Sequence, residues 1–320
     1  MIGFIFLATP YLYITMLLGN IILAILSTYN SPSYNAMIKE SISEEYIENH
    51  FSRFTVAKEI FSIVSPTIGV FIWQLFGIKV SYLFNATTFL FSAYISSKIV
   101  IQYSRNKVHT KEFIFRQILD GIRYIYKHKR IMCLLIISAM VNFFLSGYNL
   151  TLPYLNNYFS KEMSNFFGAA LISESIGAIL LSTINNKLLK NSEKNGSQNM
   201  MLFFLCLSGL SIVLLPIQDL IVKNVYLSLV PFSFVGGFLT LFNIQFFTIV
   251  QKSVDSNYVG RVYSVIFTFA VLFVPIGSLL FGFIFNDKNL FVMLVSGIGI
   301  ITTVLFYKIL SKFRKDFSIF

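Results

Sequence analysis

Long apolar runs fill most of this 320-residue chain and are the feature that most constrains its fold. A helix of about 20 apolar residues is long enough to cross the hydrocarbon core of a bilayer. The chain is 56% hydrophobic and only 12% charged, whereas soluble domains are about 25% charged. The sequence therefore predicts an all-α, polytopic membrane protein.

The apolar runs predict about nine transmembrane helices. The first begins at Pro10, because Pro is favoured at the first position of a helix. It ends near Tyr29 or continues as far as Ile38. The predicted spans are 10–29, 54–76, 80–101, 131–158, 166–184, 200–217, 225–250, 262–285 and 290–309.

One basic stretch, Lys98–Arg130, interrupts the apolar runs and holds nine of the 25 basic residues. Lys and Arg are retained on the cytoplasmic side of a membrane, so this stretch is predicted to be cytoplasmic. Its apolar residues recur at the spacing of one helix face, which predicts a basic amphipathic helix on the bilayer surface. An ordinary solvated charge run is the alternative. The residues of the apolar face are Ile114, Ile118, Leu119, Ile122 and Ile125.

The other loops agree with this orientation. With Lys98–Arg130 inside, 21 basic residues lie in predicted cytoplasmic segments and only Lys79, Lys161, Lys223 and Lys288 lie on the other side. This asymmetry places the C-terminus inside. It also accounts for the net charge of +11 without nucleic acid as a partner.

The spans fall into groups of three. Three precede the basic stretch, and six follow it, divided near 217–223 into two triplets. The predicted domains are a partial N-terminal bundle (1–97), a basic connector (98–130), a complete six-helix bundle (131–311) and a cytoplasmic tail (312–320).

Four stretches carry a resemblance to a known family. They are Leu18-Gly19-Asn20 through Ser33, Ile63 through Pro66 to Gly69, Asp120 through Tyr124 with His128 and Arg130, and Val259-Gly260-Arg261-Val262. These stretches resemble the fourth helix, the fifth helix, the connector and the turn before the eleventh helix of the major facilitator superfamily. Within it, the chain is similar to the drug-efflux branch of macrolide-efflux and siderophore-export proteins.

The resemblance implies a fold of two helical bundles and the transport of small molecules. Pro66, Gly69, Gly260 and Arg261 are the residues that it places in conformational or turn motifs. The first three helices of the family have no counterpart except Met1–Ala8, so we expect an N-terminally shortened chain that does not transport by itself.

Motifs of soluble chemistry are missing from the sequence. There is no P-loop, no His-Glu-x-x-His and no Cys-x-x-Cys pattern, and Cys133 and Cys206 lie inside apolar runs. Gly297-Ile298-Gly299 lacks the strand and third glycine of a dinucleotide site. We expect no enzyme activity, no cofactor and no metal, and therefore an ion gradient as the energy source.

Two acidic residues are candidates for proton coupling. Glu174 is the one acid near the middle of a span, where an ionisable side chain costs about 2.5–3.5 kcal/mol on insertion scales. Apolar surroundings favour the neutral form of a carboxyl, so Glu174 is suited to bind and release a proton. A protonated, hydrogen-bonded structural Glu174 is the alternative. Glu59 is the weaker candidate, because an ion pair or helix cap near Lys58 also accounts for it.

Polar and small residues in the spans suggest a cavity and helix contacts. The candidates for lining a substrate cavity are Asn20, Asn142, Tyr148, Asn149, Asn243 and Gln245. Amides in membranes also form interhelical hydrogen bonds of about 0.6 kcal/mol, which is the alternative for each. Small residues four apart predict close helix packing. These pairs are Ser65 and Gly69, Ser173 and Gly177, Ser233 and Gly237, and Ser278 and Gly282.

Two functions remain open from the sequence. The first is a monomeric secondary transporter in the plasma membrane that exports an amphipathic organic compound, such as a macrolide-type drug or a siderophore, in exchange for protons. The second is a truncated, transport-inactive membrane protein or assembly partner. The lipid bilayer is a partner in both.

Cysteine-accessibility labelling tests the predicted orientation. Single cysteines near Lys161 and Lys288 should react with an impermeant reagent added outside, whereas those near Lys190 and Lys252 should react only from inside. The reverse pattern at either pair would contradict the charge-based topology.

Overall fold

The computed structural model describes residues 12–98, 114–159, 163, 166–189, 198–221, 224–285 and 290–313. Within these ranges every regular element is helical, as the composition predicts. The helices are α1 (Leu12–Ser41), α2 (Ile47–Ser97), α3 (Ile114–Lys127), α4 (Lys129–Thr151), α5 (Leu155–Tyr158), α6 (Phe166–Leu189), α7 (Gln198–Ile221), α8 (Val225–Ser253), α9 (Val259–Ile284) and α10 (Phe291–Phe313). Short 3₁₀ helices at Glu44–Tyr46 and Leu152–Tyr154 precede α2 and α5.

Six of the described helices are long and apolar enough to cross a membrane: α4 with α5, α6, α7, α8, α9 and α10. Their bounds agree within a few residues with the last six predicted spans. The count of nine spans stays a prediction, because six membrane-length helices are found among the described residues.

The chain forms two compact units. In one, which comprises 1–42 and 61–110, α1 continues through Pro32 to Ser41 and α2 breaks at Gly77. Gly77 has φ 75° and ψ 175°, a conformation that is essentially restricted to glycine. The break lies between the predicted spans 54–76 and 80–101, which themselves stay predictions.

The other unit comprises 43–60 and 111–320 and contains the six-helix bundle. Its helices pack as pairs: α6 with α8, α7 with α8, α9 with α4, α10 with α4, and α7 with α10. Swapping α4 with α8, α6 with α9 and α7 with α10 gives the same set of helix pairs. The bundle is therefore built from two equivalent triplets, α4–α6–α7 and α8–α9–α10, with the division between them at 221–225 where the sequence predicts it.

Two equivalent crossings show the same close contact. A Cβ on Gly177 of α6 would collide with the carbonyl of Ser233 on α8, and a Cβ on Gly277 of α9 would lie 2.5 Å from the carbonyl oxygen of Phe143 on α4. Glycine is required at both points because the neighbouring backbone occupies the place of a side chain.

The structure decides between the predicted small-residue pairs. Ser173 and Gly177 do face Ser233 and Gly237 across the α6–α8 crossing, since Ser173 Oγ donates to the Leu229 carbonyl at 2.6 Å. The predicted pair of Ser278 and Gly282 makes no such contact with another described helix: a Cβ added to Gly282 would meet none of its atoms within 4 Å, and Gly277 makes the approach instead. Gly69 likewise has no atom within 4 Å among the described residues.

Helix α3 confirms a helix in the basic stretch and packs on α9. Gly121 lies close to the Arg261 carbonyl, with 3.0 Å to the position of a Cβ. The Tyr124 hydroxyl donates to Asp255 Oδ2 and accepts from the Asp255 backbone N–H, each at 3.1 Å. Burial is the main cause that raises the pKa of Tyr124, so the hydroxyl stays protonated.

The predicted apolar face of α3 is split by this packing. Ile125 is buried with Tyr124 in the bundle, while Leu119 and Ile122 are exposed. The helix is strongly amphipathic, as predicted, and the bundle takes Ile125 while Leu119 and Ile122 face outward. Its position on a bilayer surface stays a prediction. The side chains of Ile114 and Ile118 lie outside the described residues.

Substitution of Gly177 tests the α6–α8 crossing. We expect Gly177→Ala to destabilise the protein by about 1–3 kcal/mol, because the new methyl overpacks a backbone contact. Thermal unfolding in detergent measures the loss. Gly282→Ala is the matched control and should change stability by about 0.5 kcal/mol or less, since Gly282 is exposed. Equal effects of the two substitutions would contradict the crossing.

Removal of the Tyr124 hydroxyl tests the docking of α3. Tyr124→Phe loses both hydrogen bonds to Asp255 and should cost about 0.5–1.5 kcal/mol, with faster amide hydrogen exchange across α3. The control is Tyr126→Phe, because Tyr126 is 77% exposed. If Tyr124→Phe leaves exchange in α3 unchanged, the hydroxyl does not hold the helix.

Candidate functional site

The predicted proton-coupling residue Glu174 is paired with a tyrosine. Tyr148 on α4 donates its hydroxyl hydrogen bond to Glu174 Oε1 on α6. Tyr148 is only 2% exposed and packs 6.3 Å from the ring of Phe232, measured between ring centroids. A buried tyrosine hydroxyl needs a polar partner, so the phenol and the carboxyl fix each other's position.

The backbone of α8 lies directly against Glu174. A Cβ on Gly236 would collide with the Glu174 carbonyl, and a Cβ on Gly237 would lie 2.9 Å from the Gly177 carbonyl oxygen. These contacts bring the α8 backbone against the turn of α6 that carries Glu174. It is half-buried and directed to Tyr148.

The second predicted carboxyl, Glu59, is brought to the same part of α6. Ser175 Oγ donates to Glu59 Oε2 at 3.2 Å, and Ser175 follows Glu174 in the chain. The structure therefore groups Glu59, Tyr148 and Glu174, three of the residues that the sequence singles out.

The predicted cavity amides lie on several helices. Asn142 Nδ2 donates to the Ser138 carbonyl of its own helix at 2.8 Å. Asn149 and Asn243 are exposed. The side chain of Asn20, on α1, lies outside the described residues. A shared cavity of these four amides stays a prediction.

Gln245 has a different neighbour, which sequence reasoning missed. Its Nε2 donates to Glu48 Oε1 at 2.5 Å, and Asn185 Nδ2 approaches the same oxygen at 3.4 Å. Glu48 is 1% exposed and Gln245 is fully buried. Glu48 follows Glu44 and Glu45 in a polar stretch, where an acid is expected to be exposed to solvent. The one sign of its burial in the sequence is its spacing from Ile47 and Phe51, which are both buried.

The predicted turn residues lie in several places. Arg261 Nη1 is 3.5 Å from Asp120 Oδ2, and its guanidinium lies 5.7 Å from the centroid of the Tyr258 ring. Gly260 is in the first turn of α9, where its carbonyl accepts from Ser264 Oγ at 2.9 Å. Gly69 is exposed on α2, and the side chain of Pro66 lies outside the described residues.

No group of three His, Cys, Asp or Glu side chains suited to a metal ion occurs in the described ranges. Cys133 is buried and Cys206 is half-buried, and neither forms a disulfide bond. The polar chemistry of the site is therefore carried by carboxyl, phenol, hydroxyl and amide groups.

Comparison with known proteins assigns this chain to a family. The model of the Major Facilitator Superfamily matches residues 1–278, which is most of the chain. No curated protein matches the sequence. Members of the family are transporters, and six helices in the described part of the chain are long and apolar enough to cross a membrane. The chain is an integral, multi-pass membrane protein that belongs to the Major Facilitator Superfamily.

Proposed function

We propose that this protein is a proton-coupled exporter of amphipathic organic compounds. The observation that carries the proposal is the hydrogen bond between Tyr148 and Glu174, with Glu59 held beside Glu174 through Ser175. In a bundle of membrane-length helices, ionisable groups mark ion or substrate pathways. The absence of a nucleotide-binding motif from the sequence supports an ion gradient as the energy source.

The Tyr148 phenol suits Glu174 for reversible protonation. When Glu174 is ionised, the phenol donates a hydrogen bond that stabilises the carboxylate. When Glu174 is protonated, its own hydroxyl can donate to a substrate or to water, and the phenol can turn to another acceptor. Both states of the carboxyl therefore retain a polar partner, which a single isolated acid would lack.

Glu59 adds a second carboxyl to the exchange. Two carboxyl groups that share an apolar site disfavour simultaneous ionisation, because their like charges repel. Ser175 donates a hydrogen bond to Glu59, whereas Glu174 pairs with the Tyr148 phenol. Glu174 is therefore the first candidate for the proton carrier and Glu59 the second.

The substrate class rests on the resemblance to the drug-efflux branch and on the aromatic surroundings of the site. Tyr148 and Phe166 both pack on Phe232, with 5.8 Å between the ring centroids of Phe166 and Phe232. Aromatic surfaces beside one acidic group suit an organic molecule with an apolar body and a polar or cationic end. Macrolide-type drugs and siderophores have this amphipathic character. We place the protein in the plasma membrane as a monomer with a cytoplasmic C-terminus.

Replacement of Glu174 tests this function. Glu174→Gln keeps the shape and most of the hydrogen bonding but removes the proton, so we expect gradient-driven efflux of lipophilic dyes to fall by about tenfold or more and to lose its pH dependence. Efflux is measured in proteoliposomes with an imposed pH gradient, with and without an uncoupler, both for this chain and for a form extended by the first three helices of a family member.

Two variants make the result specific. Glu45→Gln makes the same chemical change at an exposed site and should leave efflux unchanged. Tyr148→Phe keeps the Glu174 carboxyl and should weaken efflux while the dependence on pH persists. Parental rate and pH dependence in Glu174→Gln would show that Glu174 is structural and that the proton site lies elsewhere.

A further inference from the structure

Helix α3 has three different strips of surface around its axis. Residues three or four apart lie on the same side of a helix. Gly121, Tyr124 and Ile125 share the side that is buried against the bundle. The exposed side is divided along its length into an apolar strip and a basic strip.

The apolar strip consists of Leu119, Ile122 and Tyr126, which are 43%, 42% and 77% exposed. α3 has 14 residues, which extend over about 21 Å as a helix. That length is too short to cross about 30 Å of hydrocarbon, so these side chains do not belong to a membrane span. An exposed apolar strip on a short, strongly amphipathic helix is typical of a helix that lies in the plane of a membrane surface.

The basic strip runs beside the apolar strip. Arg123 and Lys127 are one turn apart and both are exposed. The exposed residues Lys129 and Arg130 continue the positive charge into the start of α4. Every exposed residue of the described stretch from Leu119 to Arg130 is apolar, aromatic or basic. The exposed side therefore combines a positive charge with an apolar surface.

The carboxylate of Asp120 does not cancel this charge. Its Oδ2 lies 3.5 Å from Arg261 Nη1, and its Oδ1 lies 3.8 Å from Arg123 Nη1. One acid thus faces two guanidinium groups. The Arg123 side chain is 72% exposed, and ion pairs that are open to solvent contribute little. Arg123 therefore keeps guanidinium donors for an external anion.

The place of α3 in the fold puts it beside the ends of two membrane-length helices. Gly121 packs on α9, where a Cβ would lie 3.0 Å from the Arg261 carbonyl oxygen and 3.2 Å from Val265 Cγ2. α9 begins at Val259 and is long and apolar enough to cross a membrane, so this contact lies in its first two turns. His128 alone separates α3 from α4, which is another such helix.

We propose that the exposed side of α3 is a binding surface for anionic phospholipids of the adjacent leaflet. The apolar strip enters the boundary between head groups and acyl chains, while Arg123 and Lys127 contact the negatively charged head groups. A zwitterionic lipid offers the same acyl chains without net charge. Each basic side chain near an anionic surface raises affinity by about fivefold, so the basic strip selects the anionic lipid.

The same contact links the lipid to the bundle. The side of α3 opposite the lipid is fixed to α9 by the approach of Gly121 to Arg261 and by the hydrogen bonds between Tyr124 and Asp255. A lipid that holds the exposed side therefore also reduces the opening of α3 from α9. This surface does not involve Glu174 and is independent of the proposed proton coupling.

Fluorescence quenching by brominated lipids tests the surface in the full chain. Trp73 is the only tryptophan, so Trp73→Phe with Tyr126→Trp places the sole indole on the apolar strip. The protein is reconstituted in phosphatidylcholine vesicles that contain equal fractions of brominated phosphatidylglycerol or brominated phosphatidylcholine. We expect phosphatidylglycerol to associate with this indole about tenfold or more tightly, and high salt to reduce the preference.

Charge variants in this background make the test specific. Arg123→Gln and Lys127→Gln should each lower the preference by about fivefold. Arg123→Lys combined with Lys127→Arg keeps both charges and should keep the preference. Lys79→Gln is the matched control, because Lys79 is an exposed basic residue of another helix, and it should leave the preference unchanged.

Amide hydrogen exchange gives a second measurement that needs no tryptophan variant. Exchange across α3 should be about fivefold slower in nanodiscs with phosphatidylglycerol than in nanodiscs of phosphatidylcholine alone, and Lys127→Gln should remove most of the difference. Lys127 is free of the contact with Asp120 that Arg123 makes, so its replacement leaves that ion pair in place.

Four results would overturn the inference. Equal quenching by the two brominated lipids would show an apolar contact without a site for anionic lipid, and no quenching by either would show that the strip does not meet the bilayer. Quenching that changes with the protein-to-lipid ratio would identify a second copy of the chain as the partner. Loss of the preference on addition of inorganic phosphate at constant ionic strength would identify a free anion as the ligand. None of these measurements requires transport, so they are independent of the Glu174 variants.

Discussion

The close backbone contact between α6 and α8 holds together the helices that carry Glu174 and the partners of Glu48. Gly177 of α6 lies against the Ser233 carbonyl, and Gly236 of α8 lies against the Glu174 carbonyl. Asn185 of α6 and Gln245 of α8 both approach Glu48 Oε1. A wider separation of the two helices would move these amides apart so that one carboxyl oxygen could not reach both, because hydrogen bonds tolerate little error in distance.

Hydrogen-bond satisfaction explains which polar residues of the helices meet and which do not. Asn142 bonds to the Ser138 carbonyl of its own helix, so its amide is used without a second helix. Tyr148 and Glu174 have no such local solution and bond across α4 and α6. An unpaired polar group in apolar surroundings costs free energy. A polar side chain without a partner on its own helix therefore forms its hydrogen bond to a neighbouring helix and holds the two helices together.

Much of the fold was predictable because hydropathy reports membrane-length helices directly. The small-residue spacing also predicted the α6–α8 contact, but it failed in α9, where Gly277 and Gly282 are both small and periodicity cannot choose between them. The pairing of Tyr148 with Glu174 could not be predicted from the sequence. The sequence assigns each residue to a helix, but it does not tell how that helix is rotated about its axis. Glu48 was missed because an acid in a polar stretch gives no sign of burial until its helix packs.

The exchange of the two triplets gives Glu174 a counterpart. Gly177 of α6 occupies the place that Gly277 occupies in α9, and Ser233 of α8 that of Phe143 in α4. Counting three residues back from each glycine pairs Glu174 with Val274, and counting five forward from Phe143 and Ser233 pairs Tyr148 with Phe238. The frame is therefore duplicated, but its acid and phenol occur in only one copy. The two triplets have the same helix arrangement but differ chemically, because the α6–α8 crossing has an ionisable residue where the α9–α4 crossing has a valine.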